Sequence, residues 1–161
     1  MTLAWQGDDG ASGNQFQQVT TRGSAWDNLL NTNSVLTING VQFIDATGSN
    51  TGVSSAGQGK KLIINKSGHT LHVYLVARAG DDPAHSGPTV GPHCIDKGGS
   101  ALISYHGPYL NALAFNWFDA GSHGSQTTTV TTRGSAWDKT LNTNDTITIH
   151  SVTGPELSGS N

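Results

Sequence analysis

Arg22, Trp26, Asp27, Asn31 and Asn33 fall within twelve residues of one another. Together they are the side chains that grip a sugar: an aromatic face for the C–H surface of the ring, with charged and amide groups that fork onto adjacent hydroxyls. The same set returns as Arg133, Trp137, Asp138, Asn142 and Asn144. The nine residues Val19–Asp27 recur without change as Val130–Asp138, and the likeness continues through Ile38 and Ile149, so 19–38 and 130–149 are two copies of one motif. Differences such as Asn28/Lys139, Leu29/Thr140 and Val35/Thr146 fall only after the Trp-Asp pair. A sugar-binding reading makes Trp26 and Trp137 the platforms, the Asp and Arg residues the charged partners and the four Asn residues the amides. It also makes the chain bivalent, which raises avidity on a glycan-bearing surface by roughly a hundredfold or more and permits cross-linking.

A structural reading competes for the same residues. Ser24-Ala-Trp-Asp27 and Ser135-Ala-Trp-Asp138 match a capping box, in which the Ser hydroxyl accepts from a backbone N–H three residues on and the acid reaches back. Each copy then makes a helical turn after Gly23 or Gly134, with Trp26 and Trp137 anchoring it to a sheet. Arg22 and Arg133 pack along the Trp or pair with the Asp.

Other chemistry has weaker support. The chain has no Gly-x-Ser-x-Gly elbow, no His-Glu-x-x-His and no phosphate loop, and Cys94 beside His93 has no obvious orienting partner, so no enzyme is expected. The seven His residues are dispersed and no metal or other cofactor is expected. Asp8-Asp9 and Asp81-Asp82 read as solvated loop carboxylates, since neither follows the EF-hand pattern. Two glycosylation sequons, at Asn65 and Asn144, matter only for a secreted chain.

Composition narrows the partners. A net charge of −3 with scattered Lys and Arg excludes nucleic acid as a main partner. No apolar run approaches the ~18 residues of a membrane span. The N-terminus lacks a signal-peptide pattern, so a cytoplasmic protein, or one released without a classical signal, is expected. Glycans or glycoconjugates are the expected partners, with a homo-oligomer allowed for.

The elements that position the motif read as β. Only 12% of residues are charged and 21 are Gly, which suits many strands joined by tight turns. Leu36/Ile38 and Ile147/Ile149 alternate with Thr, as a strand with one buried face does. Residues 61–65 and 70–78 are expected to form a hairpin around Lys66–His69, and 101–105 and 109–118 to flank His106–Pro108. The 109–118 strand, apolar on both faces, is the candidate centre of the core. Turn-like tetrapeptides at 31–34, 66–69, 106–109 and 142–145 suggest four hairpin units. Leu3-Ala-Trp5 leads into the first copy as Leu113-Ala-Phe115 leads into the second. The stretches 46–59, 121–126 and 154–161 read as surface loops and a loose tail.

The expected fold is one all-β domain over 1–161: an antiparallel β-sandwich built from hairpins with an internal repeat, with a β-trefoil or other barrel as second choice. The plan is similar, at class level only, to small disulfide-free β-sandwich lectins and hemolysin-like defence proteins. The expected function is non-catalytic carbohydrate binding. The alternatives are a peripheral membrane-binding or cytolytic protein, with Trp residues at the headgroups, and a self-assembling structural protein.

Overall fold

A computed structural model describes residues 1–53, 59–118, 121–154 and 156–161. The described chain is mainly β. A six-stranded sheet runs in the order β1 (Thr2–Gln6), β2 (Ala11–Val19), β10 (Ser122–Val130), β9 (Leu110–Phe118), β6 (Leu71–Arg78), β7 (Ser86–Ile95). A four-stranded sheet runs β4 (Ala46–Ser49), β11 (Thr146–Ile149), β5 (Lys60–Asn65), β8 (Ser100–Ser104), and a ribbon pairs β12 (Glu156–Ser160) with β3 (Val35–Gly40). Helices α1 (Ala25–Asn31) and α2 (Ala136–Asn142) lie within the duplicated motif. All strand pairs are antiparallel except β5 with β11, which is parallel. One buried cluster draws on both larger sheets: Leu71, Val73, Leu75, Leu113, Phe115 and Trp117 from the first, Ile63, Ile103, Ile147 and Ile149 from the second.

The expected hairpin around Lys66–His69 does not form. β5 pairs with β8 and β11, whereas β6 pairs with β7 and β9 in the other sheet. The turn is closed by a side chain instead of a ladder. Asn65 Oδ1 accepts from the Ser67 N–H at 3.0 Å and its hydroxyl at 2.7 Å, while Nδ2 donates to the His69, Ile95 and Asp96 carbonyls. That bonding commits Asn65, which is fully buried, and frees β6 to leave the sheet. The same holds at 106–109, where β8 and β9 belong to different sheets. The other two tetrapeptides close α1 and α2 before the chain enters the ribbon or the four-stranded sheet. All four therefore mark crossings between sheets, not hairpins.

β9 does lie inside its sheet, between β10 and β6, with Leu113, Phe115 and Trp117 buried, although Phe118 at its end is exposed. Three stretches read as loops contain strands: 46–49 is β4, 122–126 opens β10 and 156–160 is β12. Residues 54–58 lie outside the described residues. The Gly and Ser content of 46–49, 122–126 and 156–160 masked these strands, which carry no run of apolar side chains.

An offset of 111 residues, that from Val19 to Val130, relates more of the chain than the motif. β2 and β10 pair so that Ala11 meets Val130, Val19 meets Ser122, and Gln15 faces its own counterpart Gln126. Trp5 pairs with Gly13 and Trp117 with Gly124, each indole filling the space a Cβ on the glycine would need. The leading strands thus correspond at an offset of 112, one residue out of step with the motif and two out of the register that Leu3-Ala-Trp5 and Leu113-Ala-Phe115 suggest. β4 pairs with β11 as β12 pairs with β3, which matches Thr47-Gly-Ser-Asn50 to Ser158-Gly-Ser-Asn161.

The two halves interlock. Ser24 Oγ donates to the Gly121 carbonyl and Ser135 Oγ to that of Gly10, at 3.2 and 3.3 Å. Gln15 reaches the Thr153 carbonyl and Gln126 that of Gln42, at 3.3 and 3.2 Å. Asn50 Oδ1 accepts from the Asp145 N–H, as Asn161 Oδ1 accepts from that of Ser34. Each half satisfies polar groups of the other, so neither can close its turns alone.

Residues 60–104, which carry β5 to β8, have no counterpart and lie against one half only. β6 extends the sheet beyond β9 and β5 lies beside β11. Thr146, Ile147 and Ile149 are therefore fully buried, while Val35 and Ile38 in β3 are each 51% exposed. The alternation of β3 is a strand signal, but its expected buried face is left partly open, with Leu36 37% and Ile38 51% exposed.

Candidate functional site

In both copies the local geometry is a helix cap. Ser24 Oγ accepts from the Asp27 N–H at 3.3 Å, and Ser135 Oγ from that of Asp138 at the same distance. The acid reaches back one residue further than a capping box predicts: Asp27 Oδ2 accepts from the Gly23 N–H at 2.6 Å and Asp138 Oδ2 from that of Gly134 at 2.7 Å. Both glycines take φ of 81°, which admits this close approach. Asn31 and Asn142 each donate to the other carboxylate oxygen of the Asp four residues before, at 2.7 and 2.8 Å. Asn33 Nδ2 donates to the Leu29 carbonyl and Asn144 Nδ2 to that of Thr140, closing the last turn. Asn33 and Asn144 thus work as helix closures. Their amides also abut Gly159 and Gly48 of the paired strands.

The copies part company beyond the cap. In the second, Trp137 is 7% exposed and its indole N–H donates to the Thr128 carbonyl at 3.1 Å, so it is an anchor with no open platform face. Asp138 meets Arg78, a buried guanidinium whose Nη2 lies 2.6 Å from Asp138 Oδ1 and 3.2 Å from the Leu110 carbonyl. Arg78 Nη1 pairs with Asp81 at 3.0 Å, and Arg133 Nη2 pairs with the other Asp81 oxygen at 3.0 Å and its carbonyl at 2.9 Å. Arg133 therefore does not pair with the Asp of its own motif. Asn142 also clamps β9, accepting from the Leu110 N–H at 2.7 Å and donating to its carbonyl at 2.9 Å. Burial pushes the Asp138 pKa up, but the Gly134 N–H, Arg78 and Asn142 outweigh it and hold the carboxyl below its ordinary range.

The first copy lacks this second layer. Asp27 keeps only local partners, and the Gly23 N–H, the Asn31 amide and the charge of Arg22 lower its pKa. Asn31 and Arg22 are exposed, and Trp26 is half-buried with an indole nitrogen that is enclosed and makes no hydrogen bond. Trp26 lines an open cleft of about 510 Å³ with Gln17, Ser24, Leu29 and Ser122. Neither Asp27 nor Asn31 lines it.

A second cleft, of about 320 Å³, lies beside α2 and is lined by Arg78, Asp81, Tyr109, Arg133, Gly134, Asp138, Lys139, Asn142 and Thr143. The structure thus brings Arg133, Asp138 and Asn142 together and sets Trp137 and Asn144 apart from them. Four of the lining residues, Arg78, Asp81, Tyr109 and Lys139, were not among the expected sugar-binding residues. Tyr109 supplies the aromatic group, with the Arg78 guanidinium 5.5 Å from its ring centroid, and Asp81 and Arg78 supply charge. Asp81 was legible only as a loop carboxylate, and Arg78 as the end of a strand. Among the described residues no three His, Cys, Asp or Glu side chains gather as metal ligands, and no helix is long and apolar enough to cross a membrane.

No protein-family model matches the chain, and no curated protein or solved structure is significantly similar to it.

Proposed function

We propose that this protein is a non-catalytic carbohydrate-binding module whose sugar site is the cleft beside α2. The observation that carries the reading is the lining of that cleft. An aromatic ring, two arginines, two carboxylates, a lysine and an amide converge on a concavity within the range usual for small-ligand sites, which is roughly 300–1,000 Å³. The charged groups are held by one another before any ligand arrives, through the Arg133–Asp81–Arg78–Asp138 chain. Such preorganisation lowers the ordering cost of binding. Tyr109 takes the role that the motif alone gives to Trp137, and Arg133, Asp81 and Lys139 face the hydroxyls.

The scaffold in this proposal is a single-domain sandwich, supported by the one apolar cluster shared between the two larger sheets. Its internal two-fold relation runs through the Gln15–Gln126 pair, supported by the 111-residue offset shared by β2/β10, β3/β11 and β4/β12. The duplicated caps are scaffold in both halves, and only the second half, flanked by Arg78 and Tyr109, has the site.

The test is a glycan-array screen of the wild type beside Arg133→Ala/Tyr109→Ala and Arg22→Ala variants of verified fold. Wild type and Arg22→Ala should bind one glycan class that the double variant loses. Failure of the wild type to bind, or equal binding by the double variant, removes the site.

A further inference from the structure

We infer that the uncovered half of this chain is a self-association surface, and that its occupant is a second copy related by a two-fold axis, with β1 against β1. This does not rest on the sugar reading. Five of the large apolar side chains left exposed fall within Val35–Phe43: Val35, Leu36, Ile38, Val41 and Phe43. Phe43 stacks on Trp5 of β1 with ring centroids 6.3 Å apart, so the strip continues onto the edge of the six-stranded sheet.

The other half shows what chemistry this surface accepts. At the corresponding positions Thr146, Ile147 and Ile149 are fully buried, β5 lies beside β11, and an antiparallel strand, β6, lies beside β9. In the first half the outer edges of β1 and β3 have no strand against them among the described residues. The fitting occupant is therefore a β-strand edge with an apolar face.

The two ends of the six-stranded sheet are treated differently. The β7 edge carries Pro88 and Pro92, and its pairing with β6 is broken by two register shifts, the usual guards against edge-to-edge addition. β1 is Thr-Leu-Ala-Trp-Gln, with no proline, no charge and an unbroken register against β2. Residues 1–7 and 34–44 contain no Asp, Glu, Lys or Arg, although the chain has 19 of them. A two-fold contact sets a patch against its own copy, so like charges gathered near the axis would meet one another and an uncharged strip avoids this. Antiparallel β1–β1 pairing centred near Ala4, which is exposed, repeats the direction of the β9–β6 pair and brings the two strips together.

Sedimentation velocity over a concentration series tests this. The wild type should reach twice the 16.8 kDa chain mass. An Ile38→Lys/Phe43→Lys variant should self-associate at least tenfold more weakly, with unchanged circular dichroism. A Leu102→Lys control, on an equally exposed leucine of β8, should dimerise like wild type. If the double variant fails to fold, hydrogen exchange on the wild type decides, since amides of residues 2–6 and 35–40 should become more protected as concentration rises. A wild type that stays monomeric at every concentration overturns the inference. So does a dimer untouched by the double substitution, or a monomer that sediments with phosphatidylcholine/phosphatidylserine vesicles, which would make lipid the occupant.

Discussion

Replacing Asp138 by Ala and Asp27 by Ala makes the same change in two identical nine-residue sequences, and the structure predicts unequal outcomes. Each substitution removes a bond from a glycine N–H and one from an asparagine amide. At Asp27 the freed groups are exposed and water replaces the carboxylate. At Asp138 the loss also takes from Arg78, whose side chain is 1% exposed and whose Nε already has no hydrogen-bond partner, the nearer of its two carboxylates, leaving Asp81 at 3.0 Å. Removing one member of a buried pair costs roughly 3–5 kcal/mol when the remaining charge is left without compensation, and Asp81, still paired with Arg78, keeps the expected loss at the lower end, about 3 kcal/mol. For a chain of this size that lowers Tm by about 10 °C, against less than about 4 °C for Asp27→Ala. Arg78→Met separates the two effects further. Its loss should be less than additive with Asp138→Ala, with a coupling of about 0.5–3 kcal/mol, and additive with Asp27→Ala. Thermal and urea unfolding followed by tryptophan fluorescence read all five variants. Equal losses for Asp27→Ala and Asp138→Ala would refute the reasoning, since the layer that Arg78 adds would then contribute nothing.

Leu141→Ala, at a fully buried position of α2, should cost roughly 2–5 kcal/mol in urea unfolding, and Leu30→Ala, half-buried in α1, clearly less. Gly124→Ala puts a methyl group against the Phe16 carbonyl oxygen and the Trp117 ring and should destabilise by about 1–3 kcal/mol in the same assay. Burial, opposed by the charge of Asp145, pushes Lys61 down to about 8. The unfolded chain then holds more protons than the folded one above that pH, so Tm should rise between pH 8 and 9.5, and Lys61→Met should flatten the rise. Asp145 is held down to about 2 by the Thr51 N–H, the Thr146 hydroxyl and further bonds from Gly52 and Thr51. Stability it supplies above its ordinary range should fade as the pH drops through 4 toward 2, and acid unfolding of Asp145→Asn should lack that component.

The repeat was the strongest signal in the sequence, and the capping pattern within it gave both helices and the roles of Ser24, Asp27 and their counterparts. Period-two alternation found β3 and β11, and apolar runs bounded by turn residues found β6 and β9, because both are local properties of the chain. Sheet membership was not local. Whether the chain turns back on itself or crosses at 66–69 depends on Asn65 bonding to Ile95 and Asp96, thirty residues away. β4, Ala-Thr-Gly-Ser, and β12, Glu-Leu-Ser-Gly-Ser, have no alternating hydrophobic signature and exist because β11 and β3 pair with them. The candidate site was half legible for the same reason. Arg133, Asp138 and Asn142 stand in the motif, but Arg78 and Asp81 come from the unduplicated residues 60–104 and Tyr109 from the turn before β9, and identical motifs cannot reveal that only one of them has neighbours there.

The most direct test is the number of sugar sites per chain, measured by titration calorimetry with the glycan class selected on the array. One site per chain, lost in Arg133→Ala/Tyr109→Ala and kept in Arg22→Ala, is the result predicted here. Two equivalent sites per chain would contradict it, placing the ligand on the duplicated caps themselves.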